Sequence, residues 1–422
     1  MPVTTSAAPE ARQARVHRLA NGLTLVGEPA EGFQSAAFSL MVPAGCRHDP
    51  KSQLGLANLT CEMTLRGAGD RDSRALVSDL DALGVERGES VGLSHASFWS
   101  STLSENLPAA MAIYADVVRR PHLPEDQFEA GRQVCLQELR GVEDEPSQKL
   151  MEELRRRHYG DPCGRAASGT IESVEALTIR DVRQFQNKRY APDSAILAVA
   201  GAFDWDAMVD HVETLFGDWV NNESPAEFTE TPGAGDGHVQ YDSSQAHIGI
   251  AFPSTPYNHA DYFQAWGASG VLSSGMSSRL FTEVREKRGL CYTVYASLQT
   301  QHDRAAVFCY AGTTAERAQE TLDVTYGELV RLAEGVTVEE LSRLKARMKS
   351  ALIMQQESTH ARAGVLARDW RHLGRIRSLA EVNELVDAVT ADTINDYLRR
   401  NPPSDFTIVT LGPQPLSMPK KS

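Results

Sequence analysis

Arg285 and Tyr292 stand seven residues apart in the run REKRGLCY, on either side of Gly289. A guanidinium offers five N–H donors in a fixed plane, and a phenol adds one movable donor. Held on one surface, the two can grip the carbonyls of a peptide backbone, and the phenol can donate to an oxygen that gains negative charge. Spacing alone leaves a plainer reading open. Arg285 can cap the last carbonyls of its helix, and Tyr292 can be a half-buried strand residue. Upstream, LSSGMSSRLF sets Gly275 among small residues. That segment permits close approach of backbone to a ligand or, equally, a serine-capped helix start.

The elements that must position this pair are readable on both sides. EVREKR, with alternating charge, reads as a helix that stops at Gly289, and CYTVYASL reads as a strand that follows at once. The chain has 422 residues, so two or more domains are expected rather than one core. A repeat sets their boundary. EALTIRDVRQF at 175–185 and DAVTADTINDY at 387–397 share an acidic–Ala–apolar–Thr opening, and Phe185 returns as Tyr397 at an offset of 212 residues. Each copy runs into a Pro-marked turn, YAPDS or NPPSD, and then an apolar strand, AILAVAG or FTIVTLG. An offset of half the chain length points to duplication.

The reading is a flexible arm at 1–13, an N-terminal domain at 14–220, a linker at 221–239, a C-terminal domain at 240–414 and a tail at 415–422. VNNESPAEFTETPGAGDG, poor in apolar residues, carries the linker. Helices are expected near 55–67, 72–83, 105–118 and 124–141, with a polar strand pair near 84–103. In the second domain the strand HIGIAFP precedes helices near 260–288, 313–333 and 337–357 and strands near 292–311. This order predicts an α+β fold, two homologous domains each with helices layered on a mostly antiparallel sheet.

Net charge is −14, which argues against a nucleic-acid partner. It suits solubility and only weakly suggests attraction of basic peptides. Cys46, Cys61, Cys135, Cys163, Cys291 and Cys309 are scattered without a C-x-x-C pair, so buried free thiols in a reducing compartment, the cytoplasm, are expected. No apolar run reaches the roughly 18 residues of a membrane span, and the N-terminus lacks a signal-like apolar region.

Long gapless stretches carry a resemblance that covers nearly the whole chain. They are VHRLANGLTLV, VPAGCRHDPKSQLGLANLTCEMTLRGAG, HYGDPCGRAASGTIESVEALTIRDVRQFQNKRYAPDSAILAVAG and GMSSRLFTEVREKRGLCYTVYASL. The sequence resembles the pitrilysin and mitochondrial-processing-peptidase family of zinc metallopeptidases. That family holds zinc with an inverted H-x-x-E-H motif on a helix, and a later glutamate is the third ligand. Here the matching stretch is GLANLTCEM. Asn58 stands at the first His, Cys61 at the catalytic Glu and Glu62 at the second His, while Glu138 in VCLQELR keeps the third position. A neutral amide is a poor zinc ligand, and no general base remains. Cys61, Glu62 and Glu138 are an unusual donor set for a rebuilt site. His122, Glu125 and Asp126 spell a decoy, H-x-x-E-D; Pro124 and the two acids read as a helix start.

The resemblance also implies that Arg285 and Tyr292 bind substrate near the scissile bond and that the segment around Gly275 admits it. The resulting expectation is a non-catalytic subunit with no cofactor of its own. Its partner is a homologous chain that keeps H-x-x-E-H and carries zinc, and the substrate is an extended peptide. The polar strands ERGESVGLSHASFW are a candidate sheet edge for that peptide. Two other readings stay open. One is a structural core-type protein of a larger complex without proteolytic role. The other is a self-contained hydrolase, against which no H-E-x-x-H or G-x-S-x-G occurs.

Overall fold

The computed structural model describes residues 13–220 and 228–420. In chain order they form β1 (Arg15–Arg18), β2 (Thr24–Pro29), β3 (Ser35–Val42), α1 (Leu56–Thr64), a two-residue ribbon of β4 (Gly67–Ala68) and β5 (Arg71–Asp72), and α2 (Ser73–Ala82). Then come β6 (Glu86–Val91), β7 (Ala96–Leu103), α3 (Leu107–Arg119), α4 (Phe128–Glu143), α5 (Pro146–Tyr159), α6 (Ile171–Ala176), α7 (Ile179–Arg189), β8 (Ile196–Gly201) and α8 (Trp205–Phe216). The second half gives β9 (Gly237–Gln240), β10 (Gln245–Ser254), α9 (Tyr262–Ser273), a π-turn (Phe281–Glu286), β11 (Cys291–Thr300) and β12 (Ala305–Thr314). It closes with α10 (Ala318–Arg331), α11 (Val338–Glu357), α12 (Thr359–Leu373), α13 (Leu379–Ala388), α14 (Ala391–Arg400) and β13 (Thr407–Gly412).

Two compact units result, both α+β. The first comprises the described residues of Met1–Arg132, Ala176–Pro225 and Met354–Ala380; the second comprises those of Gln133–Glu175, Ala226–Ile353 and Glu381–Ser422. The first sheet runs β1-β2-β8-β3-β7-β6 and is antiparallel except for the β2–β8 pair. Its strand β8 is buried throughout, as a continuous apolar run in a central strand should be. The polar β6 forms one edge. The second sheet runs β11-β12-β10-β13-β9, antiparallel except for β13–β9. In it β11 is an edge.

The units are not the two contiguous halves expected, because each half sends a helix onto the sheet of the other. In the first unit α12 lays Ala363, Leu366 and Ala367 against Val26, Ala37, Met41, Ile196, Ala198 and Ala200. Its Arg362 also makes a buried two-point ion pair with Glu28 of β2, at 2.9 and 2.5 Å. In the second unit α5 lays Leu150 and Leu154 on Phe308, Tyr310, Val409 and Leu411. Gly249 of β10 makes room for it: a Cβ there would meet Leu154 at 3.1 Å.

The repeat appears as matching elements. Helices α7 and α14 open with the same reciprocal cap: Thr178 with Asp181, and Thr390 with Thr393. Each then leads into a buried strand, β8 or β13.

Several boundaries differ from expectation. The helix expected near 260–288 is broken after Ser273, because Gly275 adopts φ 105° and its carbonyl accepts Ser278 Oγ–H at 2.6 Å. The helix expected from 313 begins at 318, since β12 extends to Thr314. Of the expected linker, 221–227 lie outside the described residues, and the rest is anchored. Asp161 and Thr231 exchange backbone hydrogen bonds of 3.0 and 2.8 Å, and residues 237–240 are β9. In the expected tail, Ser417 exchanges hydrogen bonds with the Gln319 side chain, and Leu416 and Met418 pack on the second core. All but the last residue of the expected arm lies outside the described residues. All six cysteines are buried thiols outside any disulfide. Among the described residues no helix is long and apolar enough to cross a membrane.

Candidate functional site

Helix α1 begins where Gly55 adopts φ 89° and Asp49 accepts the Gly55 and Ala57 N–H groups, both at 2.9 Å. A buried carboxylate at a helix N-terminus both caps it and matches its dipole. The three motif positions then point to different environments. Asn58 is half-buried. Cys61 is in the core, beside Tyr190, whose phenol is held well above its usual range chiefly by burial. Glu62 is held by Arg66, whose Nε and NH2 both donate to one carboxylate oxygen, at 3.0 and 2.6 Å.

This donor set does not fit zinc. The first position offers a neutral amide, the second a thiol turned into the core, and the third a carboxylate already paired with a cation. Glu138 stands exposed on α4, in a segment belonging to the second unit. Among the described residues no three His, Cys, Asp or Glu side chains gather in a metal-holding group. The decoy resolves as a helix start: His122 Nε2 lies 2.6 Å from the Gly69 carbonyl, and Glu125 and Asp126 sit in the turn that leads into α4.

The Arg–Tyr pair is brought together. Arg285 lies in the π-turn, where Lys287 N–H reaches back to the Thr282 carbonyl at 3.0 Å. Such turns widen a helix by one residue and re-aim its side chains. The guanidinium is sandwiched, its central carbon 4.8 Å from the Phe281 ring and 5.2 Å from the Tyr292 ring. Neighbouring cations are neutralised: Glu283 accepts from Lys287 at 2.7 Å and from Arg288 at 3.0 Å, which holds its carboxyl below the usual range. Arg285 itself, half-buried, donates to no carboxylate and to no carbonyl of its helix among the described residues.

Tyr292 owes its position to a β-bulge. Cys291 opposes Thr313 and Thr293 opposes Gly312, which leaves Tyr292 as the extra residue of edge strand β11. Its exposure is 83%, which rules out the half-buried strand reading. Gly275 has a separate backbone reason to be glycine: its φ of 105° is one that L side chains rarely adopt. Sequence reasoning missed Phe281, the platform under Arg285; its place four residues before the arginine, one helical turn, was the available signal.

The fold and the altered helix α1 together define a zinc-peptidase-like chain. Direct comparison gives the family. Residues 26–170 match the description "Insulinase (Peptidase family M16)" and residues 176–348 match "Peptidase M16 inactive domain". The chain belongs to peptidase family M16, with a second half of the inactive-domain type. A protein of Mycobacterium tuberculosis named "Uncharacterized zinc protease" is 29% identical over 427 residues, covering 98% of this chain and 96% of its own. One of Bacillus subtilis with the same kind of name is 26% identical, covering 93% and 97%. Among solved structures, "peptidase M16 inactive domain" from Pseudomonas fluorescens superposes with TM-score 0.85 at 21% identity, covering 96% and 99%. A protease from Helicobacter pylori gives 0.87 at 20%, covering 96% and 100%. A chain of complex III2 from Candida albicans gives 0.80 at 20%, covering 94% and 95%. At these identities the structures establish the fold alone.

Proposed function

We propose that this chain is the non-catalytic, substrate-binding subunit of a two-chain zinc metalloendopeptidase. One observation carries the reading: Arg285 stacks on the exposed Tyr292, in a chain whose own α1 has no zinc donor set. A homologous partner keeping H-x-x-E-H would hold the zinc and its water. This chain's residues then bind and orient. The Tyr292 O–H donates to the scissile carbonyl oxygen as it becomes anionic. Arg285 holds an adjacent carbonyl with its planar fork and so sets register.

The test is reconstitution. Purified alone, the chain should carry no stoichiometric zinc and cleave no peptide. Mixed with an H-x-x-E-H homologue from the same genome, it should restore cleavage. Tyr292→Phe should then cut kcat roughly 100-fold, as expected for loss of one oxyanion donor, with the complex still intact by size-exclusion chromatography. Tightly bound zinc in the lone chain, or full turnover by Tyr292→Phe, defeats the proposal. Stable assembly into a complex in which no chain pair cleaves peptide favours the structural-core alternative.

A further inference from the structure

Arg285 and Tyr292 can work as a pair only if the turn between them is fixed, and that turn is tied from outside by two side chains. Within it, Leu290 N–H donates to the Val284 carbonyl and Gly289 N–H to the Arg285 carbonyl, both at 3.0 Å. These bonds leave the last two carbonyls of the turn, those of Gly289 and Leu290, to be satisfied from elsewhere. One neighbouring segment serves both. The Thr313 hydroxyl donates to the Leu290 carbonyl at 2.6 Å, and the Arg317 guanidinium donates to the Gly289 carbonyl at 2.5 Å.

Thr313, near the end of β12, stands across the ladder from Cys291, the residue just before the bulge that turns Tyr292 outward. One side chain thus holds the end of the Arg285 turn and faces the start of the Tyr292 strand. The two anchors are also tied to each other. Thr321 of α10 places its hydroxyl 3.2 Å from that of Thr313 and donates to the Arg317 carbonyl at 2.8 Å. Thr313 and Thr321 are both buried, while Arg317 is exposed. The ladder itself needs no hydroxyl at 313, since valine has the same branched shape and suits a strand. The Leu290 carbonyl does need it, because a buried acceptor left without a donor is costly. Without Thr313 Oγ the turn would shift toward water, and Arg285 and Tyr292 would move with it.

We propose that Thr313, helped by Arg317, is a positioning residue that fixes the Arg285 fork relative to the Tyr292 hydroxyl. On the reading of that pair as a peptide grip, Thr313 acts on substrate only through it. The benefit is preorganisation: a displacement of about 1 Å at such a grip can cost up to 100-fold in rate.

The test has two arms. The first uses the full chain alone. The Nε–H resonance of Arg285, assigned by its loss in Arg285→Lys, senses the Phe281 and Tyr292 rings that flank the guanidinium at 4.8 and 5.2 Å. Thr313→Val should shift or broaden it, and Thr313→Ser, which keeps the hydroxyl, should restore it. An unmoved signal in Thr313→Val overturns the clamp. The second arm uses the reconstituted two-chain enzyme. Thr313→Val should lower kcat/KM about tenfold in the wild type but by less than about threefold in a Tyr292→Phe background, because the two residues act as one unit. Thr313→Ser should again restore the rate. No loss in the wild type, or the same loss in both backgrounds, overturns the positioning role. A wild-type pair that cleaves nothing sinks the two-chain reading by itself, and the resonance then decides the clamp. Should Thr313→Val not fold, Arg317→Met at its exposed position replaces it in both arms under the same criteria.

Discussion

At the scale of single residues, the Arg285 sandwich separates a binding role from a merely structural one. A cation between two aromatic faces is held in orientation without giving up its N–H donors. That is useful to a residue meant to donate to a ligand, and wasteful for one meant to cap a helix. Phe281 is thus a positioning residue: it acts on substrate only through Arg285. In the reconstituted enzyme, Phe281→Leu should raise KM about threefold to tenfold, the worth of one exposed stacking contact near 1 kcal/mol, and leave kcat within twofold. Phe281→Trp, which keeps a face under the guanidinium, should restore KM. Equal damage by both variants in kcat as well as KM would mean that Phe281 merely packs. The motif residues on α1 were legible as residue types from the sequence. Their state was not: that Cys61 turns into the core and that Arg66 holds Glu62 depend on side-chain geometry that spacing does not give.

At the scale of elements, the exchanged helices were the least legible parts of the fold. The sequence reading assigned no helix to 146–159 or 359–373. Their apolar residues pack on strands more than a hundred positions away, so local pattern gives little hint of where they go. Capping and turn chemistry, by contrast, is local, and it marked the matched pairs α7–β8 and α14–β13. The exchange also carries polar groups inward. His158 of α5 shares a hydrogen bond of 3.0 Å with the Thr407 hydroxyl and packs against Phe308, and burial lowers its ring to about 4. An unfolded histidine titrates near 6.5. Above that pH both states are neutral and the native packing is fully favourable. As pH falls toward 4 the unfolded chain takes up a proton that the native ring refuses, and stability drops by at most about 1.4 kcal/mol per pH unit. His95, which burial lowers to about 3, adds to the slope in the same direction. Tm measured in chloride buffers should therefore fall from pH 7 to pH 5. His158→Gln, which keeps a partner for Thr407, should flatten part of that fall; an identical pH profile would show that His158 is not buried as described.

At the scale of the whole molecule, the same exchange makes a prediction about how the chain divides. The repeat suggests two tandem halves that meet near 221–239. The compact units cut across that division, because 354–380 belongs to the first sheet and 133–175 to the second. A fragment ending at 225 therefore lacks α12. It leaves uncovered the sheet face that bears Val26, Ala37, Met41, Ile196 and Ala198, and leaves Glu28 without Arg362. A fragment starting at 226 lacks α5 and uncovers Phe308, Val409 and Leu411. Exposed apolar faces of this kind lead to association, and a buried carboxylate deprived of its partner costs about 3 kcal/mol or more. Each fragment expressed alone should aggregate or expose hydrophobic surface to a dye such as ANS. Co-expressed, the two should recover one soluble species with the circular dichroism of the intact chain. Independent folding of fragment 1–225 with a cooperative transition would show that α12 is dispensable to the first sheet. Moving the cut within 160–358 does not help: every break there parts α12 from the strands of the first sheet that it covers.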